Sequence, residues 1–157
     1  MQPTRETITT PQTISGIHTR TTNLQELNPF TAKIAPLWGR FFSEGLLEKI
    51  PHRSSENAAV YGVYSGYESD YMGAFDVTAG VAVSKTTADE QWSSVELQAG
   101  DYLVFTAKGP MPQTVVQTWG EIWQFFQSNP AIQRSYATDF EVYRGVDEVA
   151  VYIGLRG

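Results

Sequence analysis

The chain has no cysteine, which excludes disulfides and thiolate metal sites. Its only histidines, His18 and His52, lie in different segments without ligand spacing or clustered acids, so no metal centre is expected. Basic residues are few: 11 Lys and Arg against 17 Asp and Glu leave a net charge of −6. Phosphate binding needs a concentrated Lys/Arg surface, and these are scattered, so direct contact with nucleic acid is not expected. No apolar run approaches a membrane span, and the polar start Gln2-Pro3-Thr4-Arg5-Glu6 lacks the apolar block of a secretory signal. The expectation is a soluble, cytoplasmic protein without membrane attachment. Gly-rich phosphate loops and Gly-x-Ser-x-Gly elbows are also missing, and no pattern supports His18 as a base beside a serine nucleophile. No cofactor is expected.

What the chain does have is a repeat. Ile34-Ala35-Pro36-Leu37-Trp38-Gly39-Arg40-Phe41-Phe42 is followed by Tyr61-Gly62-Val63-Tyr64, and Val115-Val116-Gln117-Thr118-Trp119-Gly120-Glu121-Ile122-Trp123-Gln124-Phe125-Phe126 by Phe140-Glu141-Val142-Tyr143. Aligning the final tyrosines sets Gly62 against Glu141. An alternating run follows each, Val77 to Val81 and Val151 to Leu155, so the unit reads as strand-helix-strand-strand. The expected fold is α+β, a pseudo-twofold tandem repeat with antiparallel sheets and a groove between the repeats. Repeat one covers about 8–84 and repeat two about 100–156, within a single domain over 1–157.

Residues 8–21 read as one strand with Pro11 as a break or edge. A helix is predicted over about 31–49, with Pro36 near its first turn and Pro51 ending it. Strands follow at 58–64, 74–84 and 92–97, and the second unit opens at Tyr102–Ala107. Pro110 and Pro112 frame the second helix, Ser128-Asn129-Pro130 closes it, and strands at about 138–144 and 147–155 finish the chain. One helix per unit cannot cover both sheet faces, so the groove is expected on the helix-free side.

Strand alternation separates Phe140 and Val142 from Glu141 and Tyr143. The apolar pair is expected against the helix, leaving Glu141 and Tyr143 for the groove together with Tyr64. In the last strand Val149, Val151 and Ile153 are expected to face the helix, which sends Tyr152 to the groove. Trp38 and Trp119 occupy equivalent helical places and read first as core. The second helix nevertheless carries apolar residues on nearly every side, so Trp123 or Trp119 is free to line the groove. A carboxylate among rings is costly to desolvate without a partner. A lipophilic cation offsets that cost by charge attraction, cation–π contact and burial of its own apolar area.

The ordered set Leu37-Trp38 with Phe41, Tyr61-Gly62-Val63-Tyr64, Gly80, Gly100-Asp101-Tyr102, the Trp119–Trp123 helix and Phe140-Glu141-Val142-Tyr143 resembles the gyrase-inhibitory-protein-like superfamily. That group includes the effector-binding domains of bacterial multidrug-responsive transcription regulators and freestanding effector-binding proteins carried on integron cassettes. The resemblance covers nearly the whole chain. It implies a groove glutamate receiving lipophilic cationic drugs, carried onto Glu141, with a groove tyrosine carried onto Tyr152. Trp119, Trp123 and Tyr64 are further candidate contacts. The chain has no room for a helix-turn-helix domain, so transcriptional control would require a separate partner.

Three functions follow from these residues. The leading one is non-enzymatic: a sensor or sequestering module for cationic, hydrophobic small molecules. The second is a small hydrolase with Glu141 as general base, its pKa raised by desolvation. The third is an inhibitor of an unknown protein partner that uses acidic residues such as Asp89, Glu90 and Glu96.

Overall fold

Among the described residues, runs of β-branched and aromatic residues build eight strands: β1 (Thr4–Ile8), β2 (Gln12–Thr21), β3 (Val60–Ser65), β4 (Phe75–Val83), β5 (Ser93–Leu97), β6 (Gly100–Lys108), β7 (Arg134–Arg144) and β8 (Glu148–Leu155). Three α-helices of the described residues interrupt them: α1 (Asn23–Glu26), α2 (Ile34–Ser43) and α3 (Gln113–Ser128). This computed structural model describes residues 2–54 and 59–156; the predicted start of a strand at position 58 lies outside them. The fold is α+β, with every strand pair antiparallel.

The strand order is β1-β6-β8-β7-β3-β4-β2-β5. On either side of the β7–β3 seam the sequences β7-β8-β6 and β3-β4-β2 correspond, the order that two strand-helix-strand-strand units would give. The outermost strands cross over. β1 precedes the first unit yet pairs with β6 of the second, and β5 precedes the second unit yet pairs with β2 of the first. The expected strand over 8–21 is therefore two strands, because Pro11 cannot donate to the ladder and the chain changes neighbours there.

The predicted helix over 31–49 is shorter than its pattern. Gly45, in the left-handed region at φ 61°, ends it, and Leu46–Glu48 forms a separate 3-10 turn. At its start the Glu26 carboxylate accepts from the backbone N–H groups of Lys33 and Ile34, at 2.8 and 3.2 Å. An acid from α1 thus satisfies donors that α2 leaves unpaired.

Both long helices lie on one side of the sheet. Leu37 and Phe41 of α2 pack on Val77, Ala79 and Val81, while Val115 and Ile122 of α3 pack on Val149, Val151 and Ile153. The other side is not open. The sheet curls until β5 approaches β3 and β7, and Ile14, Tyr61, Val63, Leu97, Tyr102, Phe140 and Val142 form a second core there. Any groove between the repeats must accordingly lie on the helix side, contrary to the expectation of a free helix-less face.

Gly16 and Gly80 are direct partners between β2 and β4. A Cβ on Gly16 would run into the Ala79 carbonyl oxygen, and one on Gly80 into the Ser15 carbonyl oxygen. The obstacle is backbone, which cannot step aside as a side chain can. Gly16→Ala should therefore lower unfolding free energy by about 1–3 kcal/mol, read as a reduced urea midpoint.

Candidate functional site

The register across β7 and β8 decides which side each residue faces. Glu141 pairs with Val151, which packs under α3, and Phe140 pairs with Tyr152. Glu141 and Tyr143 consequently stand on the helix side. Phe140 and Val142 stand on the other, where the Phe140 and Tyr152 rings stack 4.5 Å apart. Two expectations are corrected by this. The apolar pair of β7 does not face the helix, because the curled sheet supplies it with its own core. Tyr152 is separated from Glu141 by the thickness of the sheet.

Glu141 is 3% exposed. Three donors from three elements surround it: the Tyr64 hydroxyl of β3 and the Trp119 indole N–H of α3 donate to Oε2 at 2.9 and 2.7 Å, and the Tyr143 hydroxyl of β7 donates to Oε1 at 2.7 Å. The rings interlock. Tyr64 and Trp119 have centroids 5.2 Å apart, while Trp38 of α2 meets Tyr143 edge-on at 5.5 Å and stacks on the exposed Phe42. Burial pushes the Glu141 pKa up, opposed by the hydrogen bonds from Tyr143, Trp119 and Tyr64. Tyr64 and Tyr143 are also raised, first by burial and then by the neighbouring carboxylate, so both remain protonated donors. Among the described residues no Lys, Arg or His forms an ion pair with Glu141.

Trp119 belongs to a second apolar stripe of α3. Val115, Thr118 and Ile122 are the helix's buried face, whereas Val116, Trp119 and Trp123 follow one another at spacings of three and four on an adjacent face. Trp123 packs against other partners. Its ring meets Tyr71 edge-on at 5.4 Å and lies 6.0 Å from the Arg134 guanidinium carbon. Of the six residues proposed from sequence, Glu141, Tyr143, Trp119 and Tyr64 converge, Trp123 lies one helical turn away, and Tyr152 is on the far side.

Sequence reasoning missed Trp38 as a neighbour of Tyr143, and it missed Asp139, which is 0% exposed on the same side of β7. Asp139 is held by Arg134, by the Tyr67 hydroxyl and by the backbone N–H of Gly154. The tyrosine-rich loop after β3, with Tyr67 and Tyr71, was the available signal for this second cluster. His18 bonds through Nδ1 to the Ser93 hydroxyl at the β2–β5 edge, away from either carboxylate.

Gly62 faces Glu141 directly across the β3–β7 seam. A Cβ there would sit 2.9 Å from both Glu141 Oε1 and Trp38 Cζ2. The position therefore provides room for the carboxylate rather than for a second one. Gly62→Ala should displace the Glu141 side chain from Tyr143 and cost about 1–3 kcal/mol, seen as a lowered melting temperature together with a shifted tryptophan emission.

The sequence matches, over residues 8–155, the profile of the Cass2 family, described as integron-associated effector binding protein. An integron cassette protein from the mobile metagenome of Vibrio cholerae is 35% identical, with 99% of this chain and 96% of that one covered and a TM-score of 0.83. SAV2435, solved with tetraphenylphosphonium bound, shares the fold at a TM-score of 0.79 and 20% identity, covering 100% of this chain and 95% of that one. YobU of Bacillus subtilis (strain 168), which has a proposed role as a transcriptional regulator, is 25% identical over 131 residues, 82% of this chain and 79% of YobU. The chain is thus a member of the Cass2 family of integron-associated effector binding proteins.

Proposed function

We propose that the protein is a non-enzymatic receptor for lipophilic organic cations, with Glu141 supplying the charge and Trp119, Tyr64 and Tyr143 the surrounding surface. The observation that carries this reading is the carboxylate itself: buried, ringed by neutral donors and without a cation of its own among the described residues. Neutral donors stabilise a carboxylate but leave its net charge in place, and a buried net charge favours a partner that brings the opposite one. Aromatic faces suit a delocalised cation at about 0.5–2 kcal/mol each, so a few contacts reach useful affinity without a fixed hydrogen-bond pattern.

Entry requires the rings to part. Trp38 and the exposed Phe42 lie on the α2 side, with Val116 and Trp123 on the α3 side, and the ligand would be received between the two helices. Trp123 contributes the flank of this site. Tyr152 shapes it from behind, through the far core under β7, and is not a contact. The tetraphenylphosphonium bound to SAV2435 is a ligand of this chemical class on a shared fold. Freestanding sensing and sequestration both fit; a role in transcription would act through a separate partner.

Two outcomes test the role of the charge. Glu141→Gln should weaken tetraphenylphosphonium by roughly 1.5–3 kcal/mol, read by tryptophan quenching, while neutral triphenyl analogues change little. Equal losses for both would show that Glu141 shapes the site without reading charge.

Proton binding competes with the cation for the same carboxylate. Because burial raises the Glu141 pKa in the free protein, cation affinity should be full above that raised value and fall as pH drops through it, by at most about tenfold per pH unit. Folding stability of the free protein has the opposite sign. A raised folded pKa contributes stability below the unfolded value that is lost as pH rises through the folded one. Calorimetric titration across pH 4 to 8 would show the decline in the wild type and a flat profile in Glu141→Gln.

A further inference from the structure

Two residues along β7 from Glu141, the fold repeats the same ingredients with one difference: a cation is already present. Asp139 accepts from the Tyr67 hydroxyl, as Glu141 does from Tyr64, and from Arg134 Nη2 at 2.7 Å. The guanidinium lies 4.4 Å from the Tyr136 ring centre and 6.0 Å from that of Trp123. Trp123, one turn after Trp119 on α3, brings its ring toward this cation, where Trp119 brings its indole N–H to the Glu141 carboxylate. The arginine is 8% exposed and lines an open cavity of about 520 Å³ together with Ser69, Asp70, Tyr136 and Arg156.

We propose that Arg134 is a resident cation filling the second of two adjoining cation niches, and that it thereby restricts the Glu141 niche to monocations. This rests on the Glu141 reading and names its ligand class. Residues two apart on one strand face are about 7 Å apart, a spacing that a small dication could bridge if Asp139 were free. Arg134 removes that possibility by engaging the carboxylate and covering the ring.

Two further features belong to this ion pair. Tyr136 holds φ at 52°, a region uncommon for a residue with a side chain, and its ring lies under the guanidinium. Arg134 Nε is buried and has no acceptor among the described residues. The surroundings therefore answer the charge and the planar face of the group without using its full set of donors.

The test compares benzyltrimethylammonium with its para-bis(trimethylammonium) homologue, with tetraphenylphosphonium as the control for Glu141. Wild-type protein should bind the dication at least tenfold more weakly than the monocation. Equal or tighter dication binding would overturn the proposal. In Arg134→Ala the dication should gain at least tenfold relative to the monocation, and no gain would likewise overturn it.

Because that variant uncovers a buried carboxylate, its folding is tested separately. Millimolar methylguanidinium should raise its melting temperature, or restore refolding, at matched ionic strength. The double variant Arg134→Met/Asp139→Asn, which removes both charges, should not respond. Absence of rescue in Arg134→Ala, or equal rescue in the double variant, would refute the niche. Failure of tetraphenylphosphonium to bind wild type would remove the Glu141 reading alone, and methylguanidinium rescue would still decide the second niche.

Discussion

A carboxylate withdrawn from water must be compensated, and the region where the two units meet is organised by that requirement. Glu141 gathers a hydroxyl from β3, a hydroxyl from its own strand and an indole N–H from α3. These bonds tie the two units together at the seam where Gly62 and Glu141 are paired. Trp38 then locks α2 against Tyr143. A single desolvated charge thus fixes the relative positions of two helices and two strands, while the apolar packing beneath each helix could tolerate small shifts.

The two acids of β7 resolve the same problem differently. Asp139 has a guanidinium, a phenol and a backbone amide, and its charge is matched inside the protein. Glu141 has three neutral donors and, among the described residues, no ion-pair partner. Similar burial on one strand face therefore yields one carboxylate with a guanidinium partner and one surrounded by neutral donors.

Much of this was legible in the sequence. Period-two alternation located the hairpins, helical spacing located α2 and α3, and the aligned tyrosines set Gly62 against Glu141. The extra apolar stripe of α3 marked Trp119 and Trp123 as more than core. The side on which Phe140 and Tyr152 lie was not legible, because alternation states which residues share a face but not what covers that face. The curl of the sheet that builds the second core depends on β5 reaching toward β3 and β7, contacts with no local signature. Asp139 and Arg134 were hidden for another reason. The register shifts between them, so counting by twos from Arg134 misplaces its partner. The separation of β1 from β2 was flagged by Pro11, but its new neighbour β6 lies nearly a hundred residues away.

That exchange of edge strands has a consequence for how the chain is divided. The strand ahead of β2 pairs with β6, and the strand ahead of β6 pairs with β2. A half cut from the chain would keep its helix and three central strands, but its outer strand would lose the ladder partner that lies in the other half. Two such halves would restore the observed ladders by exchanging those strands reciprocally. The covalent link between the units therefore acts less as a tether between independent modules than as the fusion of a swapped pair, in which neither unit closes its own edge.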